Sequence, residues 1–158
     1  MPWRLFLKTN FKEISQFELP EESPGFLLWH VSTKWRSSIE LVLKPFGLTH
    51  PQFVILAAIG WLTREGKSIN QSAISKFSGS DQNTLSQIIK GLEKRDLVNR
   101  EQAGRVKNSL LTTEGNVVLK KAILAVESVD REFFDHLNKR ELKKIISSFK
   151  KLIENKNN

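Results

Sequence analysis

The residues best suited to chemistry lie together between positions 82 and 94, where amide, hydroxyl and ammonium side chains recur at helical spacing. They share one face: Gln82, Asn83, Ser86, Gln87, Lys90 and Lys94. Asparagine and glutamine can form paired hydrogen bonds with adenine in the major groove, and lysine suits phosphate oxygens or guanine. Because any exposed helix face is polar, the alternative interpretation is a solvated surface.

Further polar and basic residues flank this face. Lys76, Ser80 and Thr84 suit contacts with the DNA backbone, which position a protein on the duplex without reading its sequence. Arg105 and Lys107 lie in a polar stretch with a glycine, where they are either DNA contacts or solvated loop charges. Together these residues predict a surface that binds nucleic acid.

Catalytic and metal-binding chemistry finds little support. The three histidines, His30, His50 and His136, show no metal-ligand spacing, and the chain has no cysteine. No ordered Ser, His and Asp set, glycine-rich phosphate loop or carboxylate pair stands out. The sequence therefore predicts no enzyme activity, no metal site and no cofactor.

The composition agrees with a nucleic-acid partner. The chain has 158 residues, 39% hydrophobic and 27% charged, which is ordinary for a soluble globular domain. Its net charge of +8 indicates a polyanionic partner. The longest apolar run, residues 53–62, is too short to span a membrane, and the N-terminus lacks a signal-like apolar core. We therefore expect no membrane association and a cytoplasmic location.

Two helices joined by a tight turn position the polar face. Asn70 is the predicted N-cap of a first helix over residues 71–77, and residues 78–80 form a glycine-containing turn. Ser80 is the predicted N-cap of a second helix, Asp81–Arg95, whose apolar residues recur at i, i+3, i+4 and i+7. This arrangement is typical of a helix-turn-helix.

A short hairpin is predicted directly after the second helix. Residues 97–100 and 109–111 are the predicted strands, and the polar loop 101–108 joins them. A basic hairpin behind a helix-turn-helix is typical of a DNA-binding wing.

Longer helices flank this unit. Pro24–Leu43 carries an apolar stripe, and a capping box of Thr49 and Gln52 begins a helix that is apolar almost all round. That helix is the predicted centre of the core. A helix from Thr112 to about Leu137 and a last helix with an apolar stripe from Leu142 to Ile153 complete the chain.

The predicted fold class is mainly α (α+β): a winged helix-turn-helix domain with an all-α dimerisation region and a small β-hairpin wing. A homodimer is expected, because the first and last helices carry more apolar surface than one domain of this size can cover. The predicted parts are an N-terminal extension (1–22), a dimerisation helix (23–47), a DNA-binding domain (48–112) and C-terminal dimerisation helices (113–158).

Four motifs in this order resemble those of the MarR family of winged-helix transcription regulators. Leu48–Leu56 resembles the family's LTxxQFxxL run, and Asn70–Ile74 resembles its TQxEIA helix. Leu92–Arg100 resembles its LExxGLVxR junction, and Leu111–Gly115 resembles the LTxxG that closes the wing. The resemblance covers about residues 23–153.

Two positions depart from the family pattern. The family has Asp-x-Arg at the wing tip, where the carboxylate holds an arginine for the minor groove, and this chain has Ala103 and Arg105 there. Asp96 stands where the family has glycine, although aspartate tolerates left-handed backbone less well. The resemblance therefore implies a wing that has its arginine but not the usual anchor.

The resemblance implies a dimeric, ligand-responsive repressor that binds a pseudo-palindromic operator in double-stranded DNA. It also implies a small aromatic or lipophilic effector, for which Trp29, His30 and Trp61 are candidate ligands, with packing as the alternative role. Two other functions remain open: a winged-helix protein-interaction module without specific DNA binding, and a non-specific architectural DNA binder.

Overall fold

The computed structural model describes residues 9–154, in two compact units that meet between Ser37 and Ser38. Residues 1–8 and 155–158 lie outside the described residues, so the predicted extension 1–22 is described only in part. The α-helices are α1 (Phe11–Ile14), α2 (Pro24–Leu43), α3 (His50–Leu62), α4 (Gln71–Ser78), α5 (Gln82–Lys94), α6 (Thr113–Phe134) and α7 (Lys139–Glu154). The strands are β1 (Ile69–Asn70), β2 (Val98–Ala103) and β3 (Val106–Leu111). The mainly helical fold class with a small sheet is confirmed.

The first unit contains α1, a 3₁₀ turn at Pro20–Glu22 and the beginning of α2. Ser23 caps α2 as predicted, since the Phe26 N–H donates to its Oγ over 3.3 Å. The apolar residues of this unit are largely exposed, Phe11 by 69% and Trp29 by 68%.

Helix α3 is the centre of the second unit. The predicted capping box is present: Gln52 N–H donates to Thr49 Oγ1 over 3.3 Å, and Thr49 N–H donates to Gln52 Oε1 over 3.0 Å. Ile55, Leu56 and Ile59 are buried, because neighbouring elements cover this helix on more than one side. Its predicted role as the core helix is confirmed.

Helices α4 and α5 form the predicted helix-turn-helix. Asn70 caps α4, and Gly79 turns the chain with a left-handed backbone, φ +72°. The predicted cap of α5 was wrong: Asp81, not Ser80, occupies the N-cap and accepts the Thr84 N–H over 2.9 Å. Serine and aspartate are equally good N-caps, so adjacent candidates cannot be separated by type alone.

The hairpin is longer than predicted, and its loop is shorter. Strands β2 and β3 pair antiparallel from Val98 and Leu111 out to Ala103 and Val106, which leaves a two-residue turn. Strand β1 adds a third strand beside β3. The prediction that residues 101–108 form a loop was wrong, because exposed polar side chains on both sides of the ribbon hide the alternation by which a strand is recognised.

Helix α6 is joined closely to the junction between α5 and β2. Thr112 caps α6 as predicted and accepts the Gly115 N–H over 2.9 Å. Its hydroxyl also donates to the Asp96 carbonyl. A Cβ on Gly115 would lie 1.9 Å from the Leu97 carbonyl oxygen, so this first turn of α6 requires glycine.

Helix α7 begins at the predicted position. Asn138 Oδ1 accepts the Arg140 and Glu141 N–H groups, each over 3.0 Å, and Asn138 N–H donates to Glu141 Oε2 over 2.8 Å. No residue of this helix is buried. Its apolar stripe therefore has no complete cover within one copy of the chain.

Across residues 9–154, no single helix is long and apolar enough to cross a membrane. A bent pair, Pro24–Phe46 with His50–Leu62, reaches the necessary length and composition only when taken together.

Candidate nucleic-acid interface

Helix α5 presents the predicted polar face to solvent. Leu85, Ile89 and Leu92 are fully buried on the other side, where α5 packs against α3 and α4. Five of the six predicted residues on the polar face are exposed, and Ser86 is half-buried. The burial of one side thus fixes which side chains α5 can offer to a partner.

Asp81 sets the charge at the N-terminus of α5. Hydrogen bonds from Thr84, first from its side chain and then from its backbone, lower the pKa of the Asp81 carboxyl below its ordinary value. The Thr84 side chain is therefore already engaged, although it was predicted as a contact with the DNA backbone. Aspartates at caps occur in many helices, and sequence analysis missed this one because Ser80 stood beside it.

The other predicted backbone contacts lie in and before the turn. Lys76 is exposed on α4, whereas Ser80 is half-buried. The Ser80 carbonyl accepts the Ser75 hydroxyl over 2.7 Å, and the Ser80 N–H donates to Ser78 Oγ over 3.3 Å. The turn is therefore held by its own serines.

A pair of glutamines joins the first residues of α4 and α5. Gln71 Nε2 lies 3.1 Å from the Gln82 carbonyl oxygen and 3.2 Å from Gln82 Oε1. The sequence predicted Gln82 as a DNA contact but gave Gln71 no role. Only the turn between the two helices brings these residues together.

The wing ends in a tight turn formed by Gly104 and Arg105. Gly104 has a φ of +62°, and Gln102 Nε2 donates to its carbonyl over 2.6 Å, which bridges the turn. Arg105 and Lys107 are exposed. Among the residues that the structure describes, no carboxylate forms an ion pair with Arg105.

The base of the wing is attached to neighbouring segments. Asn108 Nδ2 donates to Ser68 Oγ over 3.2 Å. On β2, the Arg100 guanidinium lies 4.0 Å from the Glu93 carboxylate on α5, and its Nε is buried without a hydrogen-bond partner. The wing base and α5 are thus linked by a charge pair.

The C-terminal end of α5 is tied to the end of α2. Arg95 Nη1 donates to the Gly47 carbonyl over 2.6 Å, and Nη2 donates to the Phe46 carbonyl over 2.9 Å. Asp96 then takes a left-handed backbone with a φ of +55°, the conformation expected where the family has glycine. Arg95 was not predicted as a functional residue, because its partners are far away in sequence.

The three candidate effector residues lie on two helices. Trp29 and His30 are on α2 in the first unit, where the His30 ring packs edge-on against Phe26 at 4.4 Å between centroids. Trp61 is at the end of α3 in the second unit, 57% exposed, with the Arg64 guanidinium 4.2 Å from its ring centroid.

Two cavities are present in the second unit, and neither is lined by a tryptophan. One, of about 500 Å³, lies along the basic side of α7, from Lys139 to Ser147. The other, of about 400 Å³, lies between the end of α6 and the start of α7, around Phe134 and Leu142. The role predicted for the tryptophans stays a prediction.

Sequence comparison gives one family and named relatives. Residues 48–104 match the model of the MarR family. The chain is 32% identical over 130 residues to the uncharacterized HTH-type transcriptional regulator YdcH of Bacillus subtilis (strain 168). The match covers 80% of this chain and 88% of YdcH.

Structural comparison finds the same architecture. BpsR of Bordetella bronchiseptica, whose DNA binding is regulated by 6-hydroxynicotinic acid, aligns with a TM-score of 0.78 at 22% identity, over 87% of this chain and 99% of BpsR. MepR of S. aureus, solved in complex with DNA, aligns with a TM-score of 0.74 at 19% identity, over 84% of this chain and 96% of MepR. At these identities the matches show the winged-helix fold.

Proposed function

The chain belongs to the MarR family of DNA-binding transcriptional regulators, and from that premise we propose that it acts as a homodimeric repressor of a pseudo-palindromic operator. MarR-family members are regulators, so the prediction that the chain is not an enzyme is confirmed. We place its action in the cytoplasm, where DNA is its partner.

The observation that carries this proposal is the orientation of α5. Its apolar side is buried against the core, and its polar side faces solvent beside a basic hairpin. In our proposal α5 enters the major groove, where Asn83 and Gln87 contact base edges and Lys90 and Lys94 contact phosphate or guanine. The remaining proposed DNA contacts are Lys76, Ser80, Gln82, Thr84 and Ser86.

The wing supplies the second contact in this proposal. Arg105 at the tip enters the minor groove, and Lys107 binds phosphate. Neither residue is engaged in an ion pair within the described part of the chain, so both charges are available to a polyanion.

Dimerisation is proposed from the uncovered apolar side chains of α7. Phe149 is 44% exposed, Leu152 68% and Ile153 82%. A second copy is the occupant that our proposal requires, because two recognition helices roughly 34–36 Å apart can read two half-sites of one operator. Residues 23–47 and 113–158 are the proposed dimerisation segments, and 48–112 the DNA-binding domain.

A binding experiment tests the DNA proposal. Sites are selected from a random duplex library, and their affinity is measured by fluorescence anisotropy with and without random competitor DNA. We expect a pseudo-palindromic site that competitor does not displace. Binding that competitor abolishes would instead mean non-specific association, and absence of binding would leave the winged helix as a protein-interaction module.

Light scattering tests the dimer. We expect twice the monomer mass of 18.1 kDa at micromolar concentration, and we expect Ile146→Glu with Phe149→Glu to give a monomer that loses operator binding. Phe77→Glu is the matched control, because Phe77 is equally exposed, at 53%, but lies on α4. A wild-type monomer, or operator binding by the double variant, would overturn the two-fold mechanism.

A small aromatic or lipophilic effector is the last part of the proposal, with Trp29, His30 and Trp61 as its ligands. BpsR supports this class, since an aromatic acid regulates its DNA binding. We expect 6-hydroxynicotinic acid or a related aromatic carboxylate to quench tryptophan fluorescence and weaken operator binding in parallel. Quenching with unchanged DNA affinity would show binding without regulation, because a ligand with equal affinity for both states shifts neither.

A further inference from the structure

The amide groups of Gln71 and Gln82 have a fixed mutual orientation. Gln71 is the first residue of α4, and Gln82 is the first residue of α5. A single atom, Gln71 Nε2, contacts both the backbone oxygen of Gln82, at 3.1 Å, and its side-chain Oε1, at 3.2 Å. Gln82 is exposed and Gln71 half-buried, so the outer side of the pair faces solvent.

The backbone carbonyl determines which end of each amide is which. A carbonyl oxygen can only accept a hydrogen bond, so the Gln71 atom that faces it is the amino nitrogen. The Gln82 atom that faces the same nitrogen is then the oxygen, because two amino groups would repel. It follows that the Gln82 amino group is the end not engaged by Gln71.

This orientation limits what Gln82 can read. A freely rotating glutamine presents either a donor or an acceptor, and its paired contact with adenine requires both. With its oxygen held by Gln71, Gln82 offers only N–H donors. In the major groove, guanine presents two adjacent acceptors, N7 and O6, which match two N–H groups.

We propose that Gln71 is a specificity-determining residue, which holds Gln82 as a donor and so selects guanine at one position of each half-site. This inference rests on the proposed function, since it requires α5 to lie in the major groove. It adds a role for Gln71, which acts through Gln82 and needs no base contact of its own.

The test uses the full-length protein and its selected operator. Each base pair of one half-site is replaced in turn, and the affinity of every duplex is measured. The position read by Gln82 is the one whose preference disappears in Gln82→Ala. There we expect the wild type to prefer guanine about tenfold over adenine.

Two changes at Gln71 separate orientation from affinity. In Gln71→Ala, the Gln82 amide rotates freely, and we expect the guanine preference to fall to about twofold or less while other positions keep theirs. In Gln71→Glu, the carboxylate can only accept, so Gln82 turns its amino group inward and its oxygen outward. The preference should then change to adenine or cytosine, which present an N–H donor in the groove.

Ser72→Glu is the matched control, because it adds the same charge at the next, exposed residue of α4. We expect it to weaken binding to all duplexes alike and to leave the guanine preference intact. Thermal melting of each variant shows whether the fold is retained.

The outcomes distinguish the two levels of inference. A wild type that binds without sequence preference overturns the proposed function, and the role of Gln71 with it. Specific binding in which Gln82→Ala removes a preference that Gln71→Ala leaves intact overturns the role of Gln71 alone. The same holds if the preferred base at that position is adenine in the wild type.

Discussion

The recognition helix α5 and the wing are held in place very differently. Helix α5 is tied at its first residue by Gln71 and at its C-terminus by Arg95, whose guanidinium binds the carbonyls of Phe46 and Gly47. Its buried side packs on the core throughout its length. A base-reading side chain on α5 therefore starts from a defined position.

The wing is attached mainly at its base. Strands β2 and β3 pair with each other out to the tip, where the turn is bridged by Gln102 and Gly104, and β1 supports only Ser109 and Asn108. Arg105 and Lys107 at the outer end are exposed. The difference indicates a division of labour, in which α5 supplies specificity and the wing supplies affinity for the DNA backbone.

The largest effect is expected where both elements share one support. Gly115→Ala places a Cβ 1.9 Å from the Leu97 carbonyl oxygen, at the junction of α5, β2 and α6. Because backbone rather than a flexible side chain must move, we expect a loss of about 3 kcal/mol or more in the free energy of unfolding, measured by urea denaturation.

Gly91→Ala is the control for this substitution. Gly91 lies inside α5, and a Cβ there would come no closer than 3.7 Å, to Gln52 Nε2. Alanine is the better helix former, so we expect a gain of about 0.5–1 kcal/mol. If Gly115→Ala unfolds at the same urea concentration as the wild type, the junction is not the rigid support that we describe.

Removing single amides from α5 should reduce specificity. Asn83→Ala and Gln87→Ala each delete a paired hydrogen bond to a base, so we expect a cost of about 1–3 kcal/mol on the selected operator. Affinity for random DNA should change little, which the same anisotropy titration measures. An equal loss on both kinds of DNA would place these residues on the backbone rather than on base edges.

The sequence predicted those features that depend on neighbours a few residues apart. Thr49 with Gln52, Asn70 and Thr112 begin helices as expected, because a cap and its helix are adjacent in the chain. Asp96 was singled out as the residue that replaces glycine, and its positive φ confirms the backbone geometry expected there.

Contacts between distant segments could not be predicted in this way. Gln71 and Gln82 are 11 residues apart, and Arg95 is 48 residues from Gly47, so no local pattern relates them. The long wing was missed for a related reason, since its outer strands are stabilised by pairing with each other rather than by a buried face. The extent of a ribbon that projects into solvent leaves little trace in hydrophobic periodicity.

Lysines on the two elements test the division through salt dependence. Lys90→Ala on α5 and Lys107→Ala on the wing should weaken operator and random DNA alike, because both side chains are proposed to bind phosphate. We expect the slope of log affinity against log salt to fall by roughly one unit for each phosphate that the variant no longer binds. An unchanged slope for Lys107→Ala would remove the wing lysine from the interface.

Asp96 tests strain at the end of the better-held element. With a φ of +55°, Asp96 takes a conformation that glycine adopts at lower cost. We expect Asp96→Gly to raise the free energy of unfolding by about 1 kcal/mol in urea denaturation. Asp96→Asn is the control, since asparagine tolerates the left-handed region but keeps a Cβ. A lower stability of the glycine variant would show that the carboxylate, rather than the backbone, matters here.

The smallest effect, and the one whose sign decides most, is expected from Ala103→Asp at the wing tip. Residue 103 forms the last strand pair before the turn, two residues from Arg105, where the family carries a carboxylate. If Arg105 enters the minor groove, an aspartate there holds the guanidinium in place before binding, and the operator affinity should rise by up to about 1 kcal/mol. Charge alone predicts the opposite, because a carboxylate is added near phosphates. Ala103→Asn separates the two, since it changes side-chain size without adding charge. A loss of affinity in Ala103→Asp but not in Ala103→Asn, with both folds intact at moderate salt, would mean that the arginine acts only as a mobile charge.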